Sequence, residues 1–279
     1  MHIIAAFLAL VIIALFFMFR PPVLMVSDPY LTLLYGETRA WIKQIEISMI
    51  LFRPFIPVVL SGNAPSEIVV EAIKAAHRAP KAVLFPYHYA DAARRLRDEL
   101  PEIPVLILGG RHEKDPEDDF IIVTTDIEAD YYRAGVYAAF LVQEESGIVV
   151  FHDTNFIDSH QAAFENGLEK GGFLELEEVV YVGSQFDYPS WRGISCVVAG
   201  GPAARFFERG MDIPVILFSW VDPRITPGNI KVLLDDSPWA MAVHSLRMLE
   251  QGGGTLPSRL IIPSGRSIEG ESAIMRLIK

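Results

Sequence analysis

Residues 120–153 read FIIVTTDIEADYYRAGVYAAFLVQEESGIVVFHD, and this stretch decides the fold. Ile121, Ile122 and Val123 form a short apolar run that ends in Thr124-Thr125-Asp126. Apolar or small residues then fall at Ile127, Tyr131, Ala134, Gly135, Ala138, Leu141 and Val142. That spacing keeps to one face of a 3.6-residue repeat and predicts a helix. Thr125-x-x-Glu128 reads as a capping box at its start. Ser146-Gly147 stops the helix, and Ile148–Phe151 is a second strand of the buried type. Strand, helix, strand is the unit of a parallel sheet. Each strand ends in a carboxylate, Asp126 and Asp153, and the carboxyl ends of such strands are where ligands sit. Asp126 reads equally well as a plain N-cap.

The same alternation extends in both directions. Upstream, Val23–Ser27 is a strand ending at Asp28-Pro29-Tyr30, and residues 31–51 are mostly helical, with Trp41, Ile45 and Met49 at spacing four. Ile56–Ser61 is a strand, and Pro65 opens a helix to Arg78 with Ile68, Val69, Ala72, Ile73 and Ala76 as its buried face. Ala82–Phe85 runs into Pro86-Tyr87-His88-Tyr89, a helix follows to Leu100, and Ile103–Leu108 ends at Gly109-Gly110-Arg111. Downstream come a helix from Ser159 to Lys170, strands at Leu176–Val182 and Ser195–Ala199, and a short helix from Ala203 to Arg209. Pro214–Phe218 leads to Ser219-Trp220-Val221-Asp222, and Ile230–Leu234 leads to Asp235-Asp236. Pro238 opens a helix to Gln251 that Gly252-Gly253-Gly254 stops, and Leu260–Ile262 is a last short strand. The expected class is α/β, with right-handed crossovers between parallel strands. Two successive units of similar size predict two lobes across a cleft.

Composition narrows the function. Hydrophobic residues make up 51% of the chain and charged residues 21%, which is a globular balance with a real core. The net charge of −11, with no basic cluster, opposes phosphate backbones, so nucleic acid is not an expected partner. One cysteine, Cys196, allows neither an intrachain disulfide nor a cysteine metal cage, and it reads as a small buried residue of its strand. His88, His112 and His152 follow strands, but no two histidines have ligand spacing, and no metal is expected. The chain carries no G-x-S-x-G elbow, no phosphate-cradling glycine loop with lysine and no dinucleotide fingerprint. The expectation is a protein that is not an enzyme and uses no cofactor.

The N-terminus differs from the rest. Residues 2–19, HIIAAFLALVIIALFFMF, hold no charge and no helix breaker, which is close to the short limit of a membrane span. No small-residue cleavage site follows, and no cysteine is placed for lipid attachment, so an uncleaved membrane helix is expected.

Several stretches taken in order resemble the type I periplasmic-binding-protein fold, shared by sugar-binding proteins of transporters and by effector domains of lac-repressor-like regulators. They are TTDIEADYYRAGVYAAFL with Asp126 and Gly135, HQAAFENGLEKGG with Phe164 and Leu168, VILFSWVDP with Asp222, KVLLDDSPWAMAVHSLRML, and TLPSRLIIPS. The resemblance covers about residues 22 to 270. It implies two Rossmann-like lobes with parallel sheets and three hinge crossings, near Glu145–Gly147, Leu234–Asp236 and Gly253–Pro257. Lobe 1 would then hold 22–146 and 235–253, and lobe 2 would hold 147–234 and 254–279, behind a membrane segment at 1–21. Two features depart from the family. His160 stands where sugar-binding relatives open a helix with arginine, and a membrane segment replaces the helix-turn-helix of the regulators. The implied protein is a membrane-anchored solute-binding protein whose soluble part lies in the periplasm or outside. Its partners would be a small polar solute and an ABC transporter permease or a signalling receptor. The alternative is a sensor or interaction module of the same fold.

The strand ends name the candidate binding residues. In lobe 1 they are Asp28, Tyr30, Tyr87, His88, Arg111 and Asp126. In lobe 2 they are Asp153, Asn155, Trp191, Trp220 and Asp222, with Asp236 beside a crossing. Carboxylates and Asn pair with hydroxyls, and aromatic faces cover the apolar side of a ring, so the set suits a sugar or nucleoside. Trp239, just inside a helix start, reads as packing.

Overall fold

The structure, a computed structural model, describes residues 17, 19–27, 37–62, 64–109, 120–142, 146–175, 178–183, 193–201, 213–218, 229–262, 274 and 276–278. The chain divides into two compact units, 1–125 with 237–256, and 126–236 with 257–279. Each is an α/β unit built on a six-stranded sheet.

The first unit contains β1 (Val23–Ser27), α1 (Glu37–Leu51), β2 (Phe55–Val59), α2 (Ser66–Ala76), β3 (Ala82–Pro86), α3 (Ala90–Glu99), β4 (Val105–Leu108) and β5 (Ile121–Thr125). The second contains α4 (Ile127–Leu141), β6 (Gly147–His152), α5 (Asp158–Gly171), β7 (Val179–Val182), β8 (Ile194–Gly200), β9 (Val215–Phe218) and β10 (Ile230–Asp235). The chain then returns to the first unit for α6 (Pro238–Ala242), α7 (Ser245–Gln251) and β11 (Gly254–Leu256), and ends in the second with β12 (Arg259–Ile261).

The sheets are wound alike. Their orders are β11-β5-β4-β3-β1-β2 and β12-β10-β9-β8-β6-β7. All described pairings are parallel except β12 on β10. Parallel strands are covered on both faces, which is why these segments read as unbroken apolar runs rather than alternating ones. The period of two still sorts them. Val23 and Met25 of β1 join the cluster with Trp239 and Met248, whereas Leu24 and Val26 join Val69, Ile73 and Leu96 on the other face. In β6, Ile148 and Val150 pack with α4 and α5, and Val149 and Phe151 pack with Val197 and Leu217.

In the second unit α4 and α5 approach until backbone touches backbone. A Cβ on Gly135 would fall on the Phe164 carbonyl oxygen, and one on Gly167 would fall on the Tyr132 carbonyl oxygen. Only glycine allows that approach.

Several expectations need correction. The division falls at Thr125/Asp126 rather than near 146, because α4 packs on α5 and the second sheet. The predicted 238–251 helix is interrupted at Val243–His244, which gives α6 and α7. The glycine stop after it also begins β11, which pairs with β5. The cap of α4 is Asp126, not Thr125, since the Asp126 side chain accepts the Ala129 N–H at 2.9 Å. Trp41, Ile45 and Met49 face outward, and α1 buries Lys43, Ile47 and Leu51 instead. Ile68 is likewise exposed, and α2 buries Val69, Val70 and Ile73. The helix expected at 203–209 lies outside the described residues, as does nearly all of the apolar segment 2–19. Among the described residues, no helix is long and apolar enough to cross a membrane.

Candidate functional site

In an open parallel sheet the ligand position is the carboxyl end of the strands where the winding reverses. In the first sheet that point lies between β1 and β3, and in the second between β6 and β8.

At the first, β3 ends in Pro86, and a single 3₁₀ turn, Tyr87–Tyr89, follows. Tyr89 turns into the core with its ring 4.4 Å from that of His88. Tyr87 and His88 stay exposed at the end of the strand.

At the second, β6 ends in His152, and Asp153 opens a tight turn. Its Oδ1 accepts the Asn155 N–H at 3.0 Å, and its carbonyl accepts the Phe156 N–H at 3.3 Å. This is an Asx turn, in which the side chain stands in for backbone. Asn155 is exposed and Asp153 half-buried. The turn directs Phe156 onto an aromatic cluster. Its ring lies 4.5 Å from His152, 5.0 Å from Tyr131 and 5.8 Å from Tyr181. Tyr131 also stacks on His160 at 5.5 Å and meets Phe218 at 4.9 Å. The end of β8 supplies Gly200, where a Cβ would come 2.7 Å from the Tyr131 hydroxyl, and Gly201, where a Cβ would overlap the His152 backbone.

His160 belongs to this aromatic cluster. It is buried at the start of α5, and its Nδ1 accepts the Ile157 N–H at 3.4 Å. Tyr181 donates to Glu165 at 3.1 Å, and Gln161 donates to the same carboxylate at 2.7 Å. Burial first, and the Glu165 charge second, keep the Tyr181 phenol protonated well beyond the ordinary tyrosine range.

Of the remaining candidates, Asp126 caps α4. Asp236 is half-buried just before Ser237, whose hydroxyl accepts the Ala240 N–H at 3.3 Å and caps α6. Asp28, Tyr30, Arg111, Trp191, Trp220 and Asp222 lie outside the described residues. Among the described residues, no three His, Cys, Asp or Glu side chains converge as a metal set would.

One polar group escaped sequence reasoning. Asp130 is fully buried on α4 and accepts from the Ser258 N–H at 3.1 Å, the Ser258 hydroxyl and the Arg133 guanidinium. It ties the segment after β11 to α4. Burial raises its carboxyl above the ordinary aspartate range, against the opposing pull of Arg133 and Ser258. The signal was present: an acid on the buried arc between Ile127, Tyr131 and Ala134, with Arg133 one turn on.

This is the fold of the type I periplasmic binding proteins, shared by transporter sugar-binding proteins and lac-repressor-like regulators. No family model matches the sequence, and no curated protein sequence does. Solved structures do match. A transcriptional activator of the comK gene from Bacillus halodurans is similar at 13% identity, covering 93% of this chain and 96% of its own, with a TM-score of 0.60. A solute-binding protein of an ABC transporter system from Conexibacter woesei is similar at 13% identity, covering 92% and 95%, with a TM-score of 0.56. A LacI transcriptional regulator from a Rhodococcus species is similar at 13% identity, covering 86% and 96%, with a TM-score of 0.53. These identities speak to fold alone.

Proposed function

We propose that the chain is a membrane-anchored binding protein, not an enzyme, that takes a small polar ring of the sugar or nucleoside class. Residues 2–19 hold it at the cell membrane, with its body in the periplasm or outside. The output is delivery to an ABC transporter permease or a signalling receptor. The observation that carries this reading is the matching strand order of the two sheets, each with hydrogen-bonding side chains at its reversal point: Tyr87 and His88 in one, Asp153 and Asn155 in the other. Asp28, Tyr30, Arg111, Asp126, Trp191, Trp220, Asp222 and Asp236 complete the candidate set. Three chain crossings serve as the hinge, and closure around solute is the functional step.

Thermal unfolding of the full chain in detergent against a panel of monosaccharides and nucleosides tests the idea. A ligand at about 100 times its Kd adds about 2.7 kcal/mol to native stability. Asp153→Ala and Asp222→Ala each remove a charged acceptor worth about 1.5–3 kcal/mol of binding and shrink that gain. If no member shifts the melting temperature and no solute co-purifies in native mass spectrometry, solute binding is refuted.

A second reading is supported by the Phe156 cluster. Self-packed aromatic rings at the end of β6 favour a sensor or protein-interaction module that no longer takes a small molecule. Phe156→Ala discriminates: it creates no new solute response in that case.

A further inference from the structure

The outer face of α1 is apolar. Trp41 is 63% exposed, Ile42 54%, Ile45 41%, Met49 70%, Ile50 56% and the following Phe52 45%. At 100° per residue, Trp41, Ile45, Met49 and Ile42 fall within one arc, opposite the buried Ile47 and Leu51, and the exposed Phe52 follows just past the helix end. The helices on the other face of the same sheet differ. On α2 and α3 the outward face carries ion pairs, with Lys74 2.6 Å from Glu99, Arg95 3.0 Å from Glu99 and Arg94 2.8 Å from Asp91. A contiguous apolar surface of this size on a soluble body marks something that covers it.

The chain path says what covers it. Phe17, at the end of the apolar segment, packs edge-on against Phe52 at 6.2 Å. Arg20 lies over the Phe52 ring at 4.8 Å and donates to the Phe52 carbonyl at 3.3 Å. Arg53 donates to the Pro21 carbonyl at 3.1 Å. The uncharged segment 2–19 therefore enters the body at the C-terminal end of α1, with two guanidinium groups around the junction.

We propose that α1 lies in the membrane interface, with its Trp41–Ile45–Met49 face in the acyl–headgroup boundary and Arg20 and Arg53 at headgroup level. This rests on the reading of residues 2–19 as the anchor. If that segment spans the bilayer, Phe52 is held where the chain leaves it, and the apolar arc of α1 continues the same apolar surface. Tryptophan and flanking arginine are the residues that settle at that depth. The interface fixes the first unit against the bilayer through a second contact beyond the span.

The test uses the full chain in phosphatidylcholine vesicles. A zwitterionic surface separates apolar contact from the chain's −11 charge. Single cysteines are introduced by Ile45→Cys, Met49→Cys and, as an aqueous control, Ile68→Cys on α2, and each is spin-labelled. Native Cys196 is buried, with its thiol pushed up to about 12, so it does not compete for label. Flotation reports the anchor, and collision with oxygen against a water-soluble nickel complex reports depth. The expected result is flotation of all three variants, with a severalfold higher oxygen-to-nickel ratio at 45 and 49 than at 68. Flotation with equal ratios at the three positions overturns the α1 contact and leaves the anchor standing. Loss of flotation overturns both. Dipolar broadening between labels at position 49 of separate molecules, with low oxygen contact, overturns it in favour of a second copy of the chain.

Discussion

The first and second sheets share one strand order, yet their units are finished differently. The first unit leaves Tyr87 and His88 exposed at its reversal point and shows an apolar arc on α1. The second packs Phe156, Tyr131 and Phe218 together beside its reversal point, and locks α4 to α5 through glycine contacts. The difference lies in side chains, not topology. Strand order fixes where a site can form, and the residues after each strand decide whether that place is open or packed. The second unit should thus be the more sensitive to internal substitution, and the first the more tolerant.

The largest effect is expected at Asp130. Asp130→Ala leaves the Arg133 guanidinium, almost entirely buried beside it, without its carboxylate. Removing one partner of a buried ion pair costs about 3–5 kcal/mol. Chemical denaturation of the full chain should show this loss. An equal loss for Glu67→Ala, which breaks an exposed pair with Arg95 in the first unit, would erase the contrast between the units.

Next come the glycines of the α4–α5 crossing. Alanine at Gly135 or Gly167 gains about 1 kcal/mol of helix propensity. The added methyl meets a backbone carbonyl that cannot swing aside, and overpacking costs about 1–3 kcal/mol or more. The clash wins, and the melting temperature should fall for both variants. Gly62→Ala in the first unit meets nothing within 4 Å and should be nearly silent. A stabilised Gly167→Ala would mean that the helices can separate at no cost.

The helix caps give a smaller, balanced comparison. Asp126 caps α4 in the second unit and Ser237 caps α6 in the first, and each stands where the chain passes from one unit to the other. Alanine at either should cost about 0.5–2 kcal/mol. If Asp126 also binds solute, Asp126→Ala lowers the ligand-induced shift as well as the unliganded stability, whereas Ser237→Ala lowers only the latter.

These residues also show what the sequence could reveal. Runs such as VLMVS at 23–27 and IVVF at 148–151, bounded by turn residues, identify parallel strands directly, because burial on both faces demands apolar residues throughout. Helix faces were harder to read. Trp41, Ile45 and Met49 have the period of a core face, and periodicity cannot say that a face is covered by something other than the protein's own sheet. β11 was invisible because three residues, Gly-Thr-Leu, carry no pattern and are held by pairing with β5. The unit boundary was misplaced because the extent of α4 is a local property, whereas its partner, α5, is chosen by glycines that lie more than twenty residues away. Of the candidate site, Asp153 and Asn155 fell at a strand end as expected. The aromatic packing beside them depends on α4, β6 and β9 together, which no single stretch encodes.

Acid should act on the two units in opposite directions, and this is the smallest expected effect. In the first unit, burial and then the Arg247 charge hold His244 below its ordinary value of 6.5. The native state thus favours neutral imidazole more than the unfolded chain does. Its contribution is present above the unfolded value and is lost as pH falls from about 6.5 toward the depressed native one. His244 keeps much of its surface in water, so the loss is modest. In the second unit Asp130 is raised above 3.8, chiefly by burial. Its native state favours the protonated acid, so stability rises as pH falls through the raised value toward 3.8. Hydrogen exchange resolves the two, read at amides of β1 and β3 for one unit and β6 and β8 for the other. Corrected for intrinsic rates, protection between pH 6.5 and 5 should weaken in the first set, and His244→Gln should abolish that loss. Protection in the second set should strengthen with acid, and Asp130→Asn should flatten the trend. If both sets weaken together and neither variant changes the slope, the titrating groups lie elsewhere and the two units respond to acid as one.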